Sequence, residues 1–117
     1  MTKSLEEEIM DTIAKEEVIP PSHPIFSSSP RLAIMLILYF YKKVTFPALQ
    51  KLLRATPGTL DYHLRKLESE HYVRLQKTMF SRPLTVIHLT KYGTEAFREY
   101  TAKLRAILNK MEELQID

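Results

Sequence analysis

Cysteine and tryptophan are absent from the 117-residue sequence, glycine occurs only twice, and the longest apolar run is short. Without cysteine the chain can form no disulfide, no thiolate metal site and no cysteine nucleophile, a composition that suits an intracellular protein. Gly58 and Gly93 stand too far apart to build a glycine loop that cradles phosphates. The run from Leu32 to Tyr41 is about half of the roughly 20 residues that span a bilayer, so it reads as a buried helix and not as a membrane segment. The first ten residues, MTKSLEEEIM, are acidic where a signal peptide is basic, and no cleavable apolar segment follows. The expected location is the cytoplasm, with no membrane partner.

What is present describes one folding unit. A hydrophobic content of 44% beside 26% charged residues is that of a globular chain with a modest core. The net charge of +3 conceals an uneven distribution. Residues 1–27 carry two lysines against six acids, −4, and residues 83–117 carry five bases against five acids, zero. The middle segment, 28–82, holds ten bases against three acids, +7, the electrostatic footprint of a nucleic-acid binder. A solvated basic face would look the same on charge alone.

Local patterns divide the chain further. Ser4 and Glu7 form a capping box ahead of Leu5, Ile9, Met10, Ile13 and Ala14 at helical spacing, predicting a helix over about 4–17. Three prolines between Ile19 and Phe26 predict an extended linker. Ser29 before Pro30 opens a helix to about Tyr41, apolar nearly all round and expected to be the central core helix. Val44 and Thr45 could pair as a short strand before Pro47 starts a helix carrying Leu49, Leu52 and Leu53, capped by Thr45 or Phe46. Thr56 and Pro57 start the next helix almost at once, and two helices joined this tightly make a helix-turn-helix. In the second, Leu60, Leu64 and Leu67 form the inner stripe. Gly58, Tyr62, Arg65, Lys66 and Ser69 fall opposite, flanked by Thr59 and His63. Alternation over 72–77 and 85–89 predicts a β-hairpin with Arg82 at its bend. Thr90 caps a last helix reaching toward Leu114, with Gly93 interrupting its first turn. Along it Phe97, Tyr100, Leu104, Ile107, Met111 and Leu114 recur every three or four residues as a heptad seam.

The order helix, helix, helix, hairpin, helix is that of a winged helix, an α+β, mostly α fold. The stretches SPRLAIMLILYF, VTFPALQKLLRATPGTLDYHLRKLESEHYV and IHLTKYGTEAF resemble the winged-helix regulators of the ArsR/MarR type, over about residues 28–98. That resemblance implies an N-terminal helix and linker (1–27), a winged-helix domain (28–90) and a C-terminal dimerisation helix (91–117). It also implies binding to double-stranded DNA as a homodimer, with helix 57–70 in the major groove and the wing, 73–89, on the backbone or minor groove. Thr59, Asp61 and Tyr62 would then face base edges, and His63, Arg65 and Lys66 phosphates, with Thr56, Arg74, Lys77 and Arg82 completing the surface. The terminal seam, Phe97 to Leu114, would join two copies, the alternative being that it packs as core within its own domain, as amphipathic helices usually do. His71 stands where the family usually has glycine, at a helix end that needs a left-handed backbone.

Other chemistry finds little footing. His63 and His71, eight residues apart, would lie about 12 Å apart along a helix, too far to share an ion, so no metal is expected. Ser27 to Ser29 have no recognisable histidine and acid partner, and no cofactor or enzymatic activity is expected. Two alternatives to DNA regulation stay open. One is a winged helix used for protein interaction within a transcription or chromatin assembly. The other is a sensor binding a small apolar or aromatic molecule between the terminal helices and the core near Tyr39, Phe40 and Tyr41, aromatics that read first as plain core. The sequence identifies no small-molecule effector.

Overall fold

The computed structural model describes residues 4–16, 23–79 and 81–114. Its elements are α1 (Leu5–Glu16), α2 (Ser29–Tyr41), β1 (Lys43–Thr45), α3 (Phe46–Leu53), α4 (Pro57–Ser69), β2 (Val73–Met79), β3 (Pro83–Leu89) and α5 (Lys91–Leu114). They form a winged helix: β1, β3 and β2 lie in that order in one antiparallel sheet, packed against the helices. The first half of the linker and Phe80 of the bend lie outside the described residues, as do the side chains of Ile9, Ile13 and Ala14, whereas Met10 is exposed. No helix among the described residues is long and apolar enough to cross a membrane.

Four of the helices, α1, α3, α4 and α5, start at a side-chain cap. Ser4 Oγ accepts from Glu7 N, Thr45 Oγ1 from Ala48 N, Thr56 Oγ1 from Thr59 N and Thr90 Oγ1 from Gly93 N, each satisfying one of the free donors of a first helical turn. Thr45, not Phe46, therefore caps α3. The cap of α2 is Ser28, one residue earlier than expected, so Pro30 sits at the second helical position.

Helix ends are where the shortage of glycine shows. Lys42, Arg54 and His71 close α2, α3 and α4 with φ of 68°, 52° and 64°, while neither glycine has positive φ. At His71 the pattern is a Schellman motif. Tyr72 N donates to Leu67 O and His71 N to Glu68 O, which ends α4 and turns the chain into β2. Gly93 has a different task and does not interrupt α5. A Cβ there would stand 2.1 Å from the Tyr72 carbonyl oxygen, so glycine lets α5 approach the start of the wing.

The core joins Ile34, Met35 and Leu38 of α2, Leu49 of α3, Leu60, Leu64 and Leu67 of α4, Val73 and Ile87 of the sheet, and Phe97 and Tyr100 of α5. Three expectations need correction here. The prolines do not keep the chain extended as far as Phe26: residues 24–27 form a turn, and Phe26 is fully buried, packed on Tyr72, Phe97 and Tyr100. Helix α2 is not buried all round. Phe40 is 78% exposed, Leu36 and Tyr41 are exposed as well, and half-buried Tyr39 accepts from Arg98 Nε at 3.2 Å. Finally, Phe97 and Tyr100, read as the start of a seam between copies, are buried in this chain's own core, because the first half of α5 crosses the domain before the helix leaves it. Beyond Tyr100 the helix carries only half-buried or exposed residues, with α1 packed along it and Glu8 3.6 Å from Lys110. This arm draws the molecule out to 70 × 25 × 21 Å.

Candidate nucleic-acid interface

Burial of the Leu60, Leu64, Leu67 stripe fixes the rotation of α4, and the opposite side faces outward by helical geometry. Thr59, Asp61, Tyr62, Arg65 and Lys66 are all exposed on it, Tyr62 at 55%. The two threonines of the first turn are linked, Thr56 Oγ1 donating to Thr59 Oγ1 at 2.8 Å. Thr56 spends its hydroxyl on the cap, whereas Thr59 keeps its own hydrogen to donate. Arg65 lies 3.4 Å from Asp61 and 3.6 Å from Glu68, exposed ion pairs weak enough to be exchanged for a stronger anion. Lys66 Nζ sits 5.7 Å from the Tyr62 ring centroid, a cation over an aromatic face.

His63 is placed differently from the rest of its helix. It is half-buried beside the start of α2, where Arg31 Nη1 lies 3.0 Å from its Nδ1. Burial first and the Arg31 charge second hold its pKa below the ordinary 6.5, so the ring is neutral at neutral pH. No local pattern marks Arg31: its partner is 32 residues away, and a third-position arginine on an apolar helix resembles any solubilising residue.

The wing divides its cations between two faces. Strands β2 and β3 pair from Val73↔Leu89 to Met79↔Pro83, leaving residues 80–82 as the connection, with exposed Arg82 in it. Because side chains alternate along a strand, Lys77 shares the face of buried Val73. There it lines a cleft of about 460 Å³ with Asp61, Leu64, Arg65 and Glu68 of α4. Arg74 points to the opposite face, across from His88, whose Nε2 lies 2.8 Å from the Gln76 side-chain oxygen. Burial, then Arg74 and Lys43, push the His88 pKa down. The structure thus brings Lys77 together with the outward side of α4 and sets Arg74 apart with Lys43.

Comparison with known proteins agrees with this architecture. The model of the winged helix DNA-binding domain family matches residues 31–108. An uncharacterized protein of Methanocaldococcus jannaschii is 33% identical over 89 residues, which are 75% of this chain and 97% of that protein. A solved structure described as a transcriptional regulator homologue from Pyrococcus horikoshii OT3 is 32% identical with a TM-score of 0.75, covering 92% of this chain and 96% of the other. A MarR-like transcriptional regulator from Thermotoga maritima, 18% identical with a TM-score of 0.61 over 97% of this chain and 83% of its own, shares the fold. With the helix-turn-helix, the wing and this match in agreement, the chain belongs to the winged helix DNA-binding domain family.

Proposed function

We propose that the protein is a transcriptional regulator that binds duplex DNA as a homodimer, with α4 in the major groove and the wing against the backbone or minor groove. The observation that carries this reading is the outward side of α4. It is rich in hydrogen-bonding and basic groups, lies in the +7 segment, and is free of any packing duty because the leucine stripe anchors the helix from behind. On this reading Thr59 and Tyr62, in the first two turns, contact base edges. Arg65, Lys66, Lys77 and Arg82 contact phosphates, Asp61 tunes Arg65, and Thr56 supports the helix start. The homology to the Pyrococcus regulator homologue supports the regulatory role. Pairing of copies is supported by the apolar surface that one copy leaves open: Leu36 and Phe40 on α2, and Leu108 and Met111 on the arm, where Leu104, Ile107 and Leu114 are half-buried.

Selection from random duplexes, followed by paired titrations on the selected site and a scrambled one, tests the assignment. Thr59→Ala and Tyr62→Ala are expected to leave stability within about 0.5 kcal/mol, as surface changes do. Each of them should reduce discrimination between the two duplexes by about 1–3 kcal/mol, with affinity for scrambled duplex little changed. Failure to enrich a two-fold motif, or undiminished discrimination in both variants, would favour the use of this surface for protein interaction instead.

A further inference from the structure

The pairing of Arg31 with His63 determines where the histidine carries its proton. A guanidinium offers only donors, so the His63 Nδ1 that lies 3.0 Å from Arg31 Nη1 must be the unprotonated, accepting nitrogen. The single proton of the neutral ring is then on Nε2. No group among the described residues partners Nε2, and no buried side-chain nitrogen or oxygen is left unpartnered, so this N–H opens to solvent. It does so beside Tyr62, whose ring centroid is 5.2 Å away.

Arg31 is itself held from the other side. Its Nε donates to Ile25 O at 2.8 Å, and Ile25 belongs to the turn that contains fully buried Phe26. That turn is tied by His23, whose Nδ1 accepts from both Ile25 N and Phe26 N at 3.1 Å. A continuous path therefore runs from the aromatic core through the turn and Arg31 to the flank of the candidate recognition helix.

We propose that Arg31 is a positioning residue that fixes His63 as a neutral Nε2–H donor and presents it to a phosphate oxygen of the DNA backbone. This role rests on the DNA-binding function proposed for α4. His63 lies on the flank of α4 and not on its outward face, which suits a contact to the backbone that sets register and carries no sequence information. As a neutral donor it adds a hydrogen bond to an anion without releasing a counterion, unlike a lysine or arginine contact.

The test uses the full chain and two amide replacements. In His63→Gln the amide nitrogen can take the place of Nε2, and in His63→Asn the shorter side chain reaches only the place of Nδ1. The glutamine variant is expected to bind within about twofold of the parent. The asparagine variant should lose about tenfold on selected and scrambled duplex alike, with an unchanged salt slope. Nitrogen NMR of the free protein should show the Nε2–H form of His63, and Arg31→Met should convert it to a tautomer mixture and weaken DNA binding in the same salt-independent part. Equal losses in the glutamine and asparagine variants, an Nδ1–H form in the parent, or a salt slope that flattens with His63→Asn would each overturn the proposal while leaving DNA binding intact. A parent protein that binds no duplex would instead sink the DNA-binding reading and, with it, the contact proposed for His63.

Discussion

The body of the winged helix and the arm that leaves it are built from one continuous helix, α5, yet they obey different rules. In the body the inward apolar residues meet others from several elements: Phe97 is 2% exposed and packs against the Phe26 and Tyr39 rings as well as Tyr100. Beyond Tyr100 the same spacing continues along α1, but Leu104, Ile107 and Leu114 are only half-buried, and Met111 and the neighbouring Leu108 stay 42% and 49% exposed. Periodicity therefore says that a helix has an apolar side, not what covers it. The body is stabilised within one chain, whereas the arm holds apolar surface whose burial needs something more.

The largest effect is expected at the joint between body and wing. Gly93→Ala would normally favour a helix by about 1 kcal/mol. Here the added methyl overlaps the Tyr72 carbonyl, so the wing or α5 must move, and we expect a net loss of about 2–4 kcal/mol in denaturant unfolding. Unchanged stability would mean that α5 and the wing are not in close contact. At the arm the effect should be on assembly and not on the body. Leu108→Lys with Met111→Lys is expected to reduce the mass in light scattering from twice 13.7 kDa to 13.7 kDa, while the unfolding of the body changes by less than about 1 kcal/mol. A dimer that survives would move the interface to the α2 surface around Leu36 and Phe40.

A smaller effect is expected with pH, at the body's edge. Burial lowers the His23 pKa, with Lys103 acting in the same sense and Glu70 and Glu99 against it. A protonated Nδ1 could not accept from Ile25 N and Phe26 N. Since the folded state disfavours the charged ring, its contribution is complete above the unfolded value of about 6.5 and is lost as pH falls below it. Melting temperature should therefore decline on acidification through pH of about 6. In His23→Asn, whose side-chain oxygen can still cap the turn, that decline should be smaller. It should not vanish, because His63 and His88 are shifted the same way. An identical pH profile in parent and variant would show that the turn does not depend on the histidine's charge state.

Much of this molecule was legible without coordinates wherever the deciding interaction lies within about four residues. The caps at Ser4, Thr56 and Thr90, the leucine stripe of α4 and the alternation of the wing are all of this kind, since backbone geometry and nearest neighbours settle them, whereas the left-handed end at His71 was expected only from the family resemblance. The division of a regular apolar pattern between core and arm was not legible. Nor were the burial of Phe26 behind three prolines, the reason for Gly93, the approach of Lys77 to Asp61 and Arg65 of α4, or the pairing of Arg31 with His63. Which segments are helices and strands, and which way α4 faces, follow from the residue order alone, because periods of 3.6 and 2 and local hydrogen bonding dictate them. Long-range packing settled which apolar faces meet within the chain and which nitrogen of His63 carries the proton. Those outcomes depend on contacts between residues such as Phe26 and Phe97, or Arg31 and His63, whose distance in sequence leaves no local trace.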